Sequence, residues 1–394
     1  MQSIVWKSSN LKYETILVCT VNGSIYEFVK DKKIHCRYSA QAYYRKFPYK
    51  FEPENIDPNL CSYLGFGTFG IEDTGAIKID HYFMDQQLGL IKNTIALKQK
   101  NPALKVLAVV RGSFDEFDIQ KRQNFIDTSV HFMEQNGFDG LDLNFLYPRE
   151  VNLGDHRNVY ETLLQELHVA LSVRNLEFGI TVSGLVEYPR AFVPHISAYV
   201  IFINIMAYGY GSESVLDYDA PLQSSNGMVG GADGIFDVES CISYWLKLGA
   251  PAYKLNLGLS IRGMAYLTYV TPKELRKPGK LVKVLLYNEI CAIRKNFEEA
   301  FDSVQGVPYM RNVTHWISYE NAQSLDLKLN LVTQYDLNGI MIRDIGDDDF
   351  HGVCGERYHL LQFARRKILG KYETINGISC PKGKTFENRC YREF

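Results

Sequence analysis

Tryptophan is scarce in this 394-residue chain, with 3 Trp against 26 Tyr and 22 Phe. Charge of one sign is also lacking: 43 basic and 45 acidic residues leave a formal net charge of −2. No global field therefore recruits nucleic acid or an anionic membrane, and neither is expected as a partner. No apolar run reaches the ~18–20 residues of a membrane span. C-x-x-C pairs are absent, which removes a zinc-ribbon or thioredoxin-like reading. H-x₃-H and H-E-x-x-H are absent too, and the 9 histidines are scattered. No metal is expected. No dinucleotide loop or P-loop opens a helix after the first strand, and no cofactor is expected.

What is present is ordinary globular composition, 46% hydrophobic and 22% charged. It excludes a disordered tail, a collagen-like repeat and a small disulfide knot. A chain of this length buries a large core without staples. Its 8 cysteines are widely spaced. That fits disulfides in an oxidising compartment and equally fits scattered buried thiols. The sequons Asn22-Gly23-Ser24 and Asn312-Val313-Thr314 make Asn22 and Asn312 candidate glycosylation sites and lean toward secretion. The start does not read as a signal peptide, because the first apolar stretch, Thr15 to Val21, is short and interrupted.

From Lys32 onward, strands and helices alternate. The expected strands are Ile34–Ser39, Tyr63–Phe69, Lys105–Val110, Gly140–Phe145, Glu177–Ser183, Tyr199–Ala207, Lys254–Ile261 and Gly339–Ile345. Several are continuous apolar runs, as in strands buried on both faces of a parallel sheet. Helical spacing marks Asp85–Lys100, Gln120–Asn136, Glu161–Val173 and Val238–Leu248. This alternation predicts a (β/α)₈ TIM barrel, with a doubly wound open sheet as the alternative. The stretch from Gly263 to Asn338 is too long for a simple crossover. Its first part, 264–317, reads as a small α+β insertion, and Ser318–Tyr335 as the last crossover helix. Residues 1–31 form an N-terminal extension, 32–368 the barrel with its insertion, and 369–394 a cysteine-containing tail.

The run Asp139-Gly140-Leu141-Asp142-Leu143-Asn144-Phe145-Leu146-Tyr147-Pro148 resembles the fourth-strand motif of family 18 glycoside hydrolases, the chitinases, D-G-x-D-x-D-x-E followed by Tyr-Pro. Asn204 to Tyr208 resembles the sixth strand, Tyr244 to Leu255 the approach to the seventh, and Gly339 to Phe350 the eighth. The resemblance spans roughly residues 32–368. It implies disulfides Cys36–Cys61 and Cys291–Cys354. The tail from Cys380 to Cys390 faintly resembles part of a chitin-binding module, and a Cys380–Cys390 hairpin is expected. Cys19 and Cys241 have no family counterpart; each is free, or they pair with each other.

The departures carry the functional reading. In active family members the motif's last Glu is the general acid, and the substrate's own acetamido group is the nucleophile. Here that position is Leu146, the supporting Asp is Asn144, and the sixth-strand Asp is Gly209. Leucine cannot donate a proton, and an amide carries no charge. General acid catalysis supplies ~10²–10⁴-fold. With Asp139, Asp142 and Tyr208 as the surviving motif positions, the resemblance implies a catalytically inactive member and no catalytic residue.

Family aromatics at the strand ends are replaced by Arg37, Arg262 and Arg343, and Arg111 takes the third-strand position. These four, with Asp142 and Tyr208, are the candidate ligand-binding set. They either bind an anion bidentately or pair with Asp139, Asp142, Asp217 or Asp344 as a plug, and the plug is favoured because buried charges must be paired. Asp347-Asp348-Asp349 is expected to be a solvated loop. The expected protein is a secreted, monomeric, non-hydrolytic chitinase-like binding or signalling protein, with a glycan or a protein as partner. The alternative is a lectin for chitooligosaccharide, or for an anionic glycan at the arginine mouth.

Overall fold

In a computed structural model of the chain, these apolar runs become parallel strands closed into a barrel. The structure describes residues 17–21, 24–28, 32–79, 88–112, 114, 117–145, 153–184, 192–224, 237–268, 275, 277–369, 378–379 and 391–392. Contacts divide the chain into two units, Met1–Lys32 and Lys33–Phe394. In the first, Leu17–Val21 and Ser24–Phe28 pair as an antiparallel hairpin.

The second unit holds the barrel. Its first seven strands are β1 (Lys33–Ser39), β2 (Tyr63–Ile71), β3 (Lys105–Gly112), β4 (Gly140–Phe145), β5 (Glu177–Ser183), β6 (Phe202–Met206) and β7 (Leu255–Ser260). An antiparallel sheet follows: β8 (Gly263–Leu267), β9 (Lys280–Leu285), β10 (Glu298–Asp302), β11 (Val307–Arg311) and β12 (His315–Ser318). The last barrel strand, β13 (Gly339–Arg343), pairs in parallel with β7 and with β1. That second pairing closes the barrel, so the open-sheet alternative falls. The run Gly65-Phe66-Gly67-Thr68-Phe69-Gly70 spells a dinucleotide-type glycine pattern. It lies inside β2 and opens no helix, so it forms no phosphate loop.

The helices are α1 (Leu90–Ala96), α2 (Ile119–Asn136), α3 (Leu153–Ser172), α4 (Phe192–Tyr199), α5 (Val238–Lys247), α6 (Tyr287–Ile293), α7 (Ala322–Gln334) and α8 (His359–Leu369). Local chemistry sets their limits. Asp118 caps α2 by accepting from the Lys121 N–H at 2.8 Å, and Gly137 ends it at φ 78°, a conformation glycine adopts without penalty. Asp237 and Asn321 cap α5 and α7 in the same way.

Some expected limits move. Tyr199 ends α4 instead of starting the sixth strand, which begins at Phe202. Ser318 ends β12, and the last crossover helix starts only at Ala322, after the Asn321 cap. The third helix starts at Leu153, well before Glu161. Part of the expected 85–100 helix lies outside the described residues, and its end past Ala96 is a 3₁₀ turn.

Between strands and helices, Val106, Ala108, Val110, Leu141 and Leu143 join one apolar cluster with Phe125, Leu163 and Leu167. Inside the barrel, at the N-terminal end of the strands, His35 stacks on Tyr63 at 4.3 Å and meets Phe202 at 4.4 Å. Burial pushes the His35 imidazole down to about 3, so it is neutral in the fold.

The triplet Asp347-Asp348-Asp349 is not a solvated loop. All three are fully buried, and each carboxylate has partners. Asp348 accepts from the Leu360 and Leu361 N–H groups at the start of α8. Asp349 accepts from the Val353 and Cys354 N–H groups. Asp347 joins arginines at the barrel mouth, as described below. Orphan N–H groups and guanidiniums, which the sequence spacing does not reveal, supply the compensation that burial of a charge requires.

Candidate binding site at the barrel mouth

A TIM barrel presents its ligand face where the strands end. Side chains two apart on a strand share a face, so Asp142 and Asn144 on β4 point the same way. Asp142 reaches into the interior. Arg37 on β1 donates to its Oδ2 at 2.9 Å. The Thr181 hydroxyl on β5 donates at 2.7 Å to Oδ1, and Asn204 Nδ2 on β6 at 3.2 Å to Oδ2. The chain of bonds continues around the barrel. Asn256 Nδ2 donates to Asn204 at 2.9 Å, and Asn338 Nδ2 to Asn256 at 3.0 Å. Asp142 is 2% exposed and is thus a fixed, charge-paired acceptor.

Asp139 lies at the opposite end. It accepts from the Val106 N–H at 2.8 Å and from Lys98 at 3.0 Å. It ties strand starts together and takes no part in the mouth. Asn144 is 6% exposed, and its Oδ1 has no hydrogen-bond partner. Leu146 lies outside the described residues. Gly209 stands at φ +84°, which favours glycine, although a Cβ there would meet nothing. Tyr208 is buried, and burial pushes its phenol up to about 12.

The four arginines divide into two pairs. Arg37 is engaged by Asp142. Arg262 donates to Asp344 at 2.8 Å and also to Asp347. Asp347 accepts in addition from Arg45 at 2.6 Å, so one buried carboxylate joins the loop after β1 to the end of β7. Burial pushes the Asp347 carboxyl up to about 6 against the pull of both arginines. Arg343 is exposed and stands over the Tyr208 ring at 5.5 Å, within the Coulombic reach of Asp219 but in no ion pair. Arg111 is exposed and makes no hydrogen bond or ion pair among the described residues. The plug therefore accounts for Arg37 and Arg262, while Arg111 and Arg343 are uncommitted. Asp217 spends a carboxylate oxygen on the Tyr218 N–H, and Asp139 contacts none of the four.

Cys36 is bonded to Cys61 and Cys291 to Cys354. Cys241 is buried and free. Burial pushes its thiol up to about 12. Asp349 lies close to Cys291 and Cys354, but the disulfide leaves no thiolate to hold a metal. Asn312 sits in the β11–β12 turn, where its Oδ1 accepts from the Thr314 N–H at 3.0 Å. Asn22, Cys380, Cys390 and the side chain of Cys19 lie outside the described residues. Sequence reasoning missed Thr181, Asn204, Asn256, Asn338 and Arg45. The available signal was an isolated asparagine in each of two otherwise apolar inner strands.

Residues 33–348 match the profile of the family described as glycosyl hydrolases family 18. Chitinase-3-like protein 2 of Homo sapiens is 26% identical over 386 residues, covering 90% of this chain and 95% of that protein. Among solved structures, the group IV chitinase of Ostrinia furnacalis superposes with a TM-score of 0.80 at 30% identity, over 86% of this chain and all of that one. Human YKL-39, described as a pseudo-chitinase with retained chitooligosaccharide-binding properties, superposes with a TM-score of 0.75 at 25% identity, over 85% of this chain and 99% of that one. Enzymes and a pseudo-enzyme thus both stand among the similar proteins.

Proposed function

We propose, from the premise that this chain belongs to glycosyl hydrolases family 18, that it is a secreted chitinase-like protein that binds or signals without hydrolysing glycosidic bonds. The observation that carries this reading is the Arg37–Asp142 pair at 2.9 Å. It fixes the one motif carboxylate left in the interior, two positions before Asn144 and four before the leucine that stands in place of the acid. A substrate-assisted mechanism needs a proton donor at the glycosidic oxygen and a carboxylate to steer the acetamido group. Neither is supplied by leucine, an asparagine amide or a carboxylate bound on both oxygens.

Two disulfides and a sequon on an exposed turn support secretion. No described helix is long and apolar enough to cross a membrane. The same reading takes 32–368 as the barrel, 264–317 as its insertion, and 1–31 and 369–394 as appendages, with Cys380–Cys390 closing the tail. It takes the protein to be a monomer, glycosylated at Asn22 and Asn312.

The test is release of chromophore from a chitobioside by the purified protein. Turnover that survives Asp142→Ala would come from a contaminant; turnover abolished by it would sink the reading. A second reading, a lectin, is favoured by the two uncommitted arginines at the mouth. Calorimetric titration with chitohexaose tests it, and absence of heat would leave the protein-partner form.

A further inference from the structure

We propose that the barrel mouth binds an acidic sugar, a pyranose bearing a carboxylate or sulfate, through Arg111 and Arg343, with Asn144 accepting a hydroxyl or amide hydrogen from the same ligand. The inference rests on the proposed reading of the mouth as a binding site and specifies its ligand.

Three observations carry it. The first is charge. Arg37 is neutralised by Asp142, Arg262 by Asp344 and Asp347, and Arg45 by Asp347. Among the described residues, Arg111 and Arg343 have no carboxylate in ion-pair contact, so the mouth presents two guanidiniums with unspent donors. A guanidinium offers a planar donor fork that matches a carboxylate or sulfate.

The second is an orphan acceptor. Asn144 is more than nine-tenths buried, yet its Oδ1 is unpaired. A buried carbonyl without a partner costs roughly 1–3 kcal/mol. A ligand donor would remove that cost, and an anion alone would not. This selects a molecule with both an acid group and a hydroxyl or amide N–H.

The third is placement. Arg111 on β3 stands in register with Asn144 on β4, so free donor and orphan acceptor emerge side by side on the interior face. Arg343 ends β13 and is held over Tyr208, which orients its guanidinium before any ligand arrives.

The experiment is calorimetric titration with a hyaluronan hexasaccharide, which carries carboxylates and amide N–H groups, against chitohexaose as the neutral comparator. Tighter binding of the acidic sugar is expected, weakening as salt is raised. Arg111→Ala and Arg343→Ala should each weaken it by roughly tenfold or more. Both side chains are exposed, so an unchanged melting temperature is expected to show intact folding. Equal binding of the two sugars, unaffected by either substitution, would overturn the inference and leave the lectin reading standing. Binding of neither would overturn both. The chitobioside test reads the non-hydrolytic proposal separately, without any of these ligands.

Discussion

Arg37 on the first barrel strand and Asp142 on the fourth are joined by an ion pair of 2.9 Å across the interior. The cation sits where the family resemblance expects a tyrosine, and it engages the carboxylate of Asp142.

Restoring the acid alone should therefore fail. Leu146→Glu by itself is expected to leave chitobioside hydrolysis at background. The triple variant with Asn144→Asp and Arg37→Tyr should exceed it by ~10²–10⁴-fold, the range of general acid catalysis. Equal rates from the single and triple variants would show that the Arg37–Asp142 pair does not obstruct chemistry.

Arg37→Ala leaves Asp142 buried with Thr181 and Asn204 but without a cation. Removing one partner of a buried pair costs about 3 kcal/mol. Asp142→Asn in the same background should recover most of that, since the amide keeps an acceptor for Thr181. Urea unfolding of the single and double variants reads the difference.

His35 gives a pH dependence whose sign is fixed. Its folded pKa is depressed to about 3 by burial, while the unfolded imidazole titrates near 6.5. Between these values the unfolded chain binds a proton that the fold refuses. The contribution is thus fully present above pH ~6.5 and is lost as pH falls toward ~3. His35→Phe keeps the stacking on Tyr63 and Phe202. It should flatten the acid side of the melting-temperature profile relative to the native chain. An unchanged slope would mean that His35 is protonated in the fold.

Lys328 and Glu320 form a second buried pair, 1% and 5% exposed, with the Ser324 hydroxyl donating to the carboxylate at 2.6 Å. Lys328→Met should cost about 3–5 kcal/mol by stranding Glu320. Lys328→Met with Glu320→Gln should cost much less. Additive losses in the double-mutant cycle would show that the two charges are not coupled.

Much of this molecule was legible without coordinates. The apolar runs at 34–39, 105–110 and 140–145 predicted inner strands because period and composition are local properties of the chain. That Leu146, Asn144 and Gly209 carry no carboxylate is plain from the sequence, because a side chain's capacity to hold a proton is set by its covalent structure.

The pairing of charges was not legible. Nothing in the order of residues says that Arg37 meets Asp142, 105 positions away, or that Asp347 joins Arg45 to Arg262. Nor does it say that Asp348 and Asp349 are buried on α8 and loop amides instead of facing water. Burial and neighbourhood decide whether a charge is spent, and both arise only when distant strands close into a barrel. The sequence by itself determined the strands, the helices and the lack of a carboxylate at residues 144, 146 and 209. The tertiary structure decided which arginines are consumed internally and which two, Arg111 and Arg343, have no ion-pair partner among the described residues.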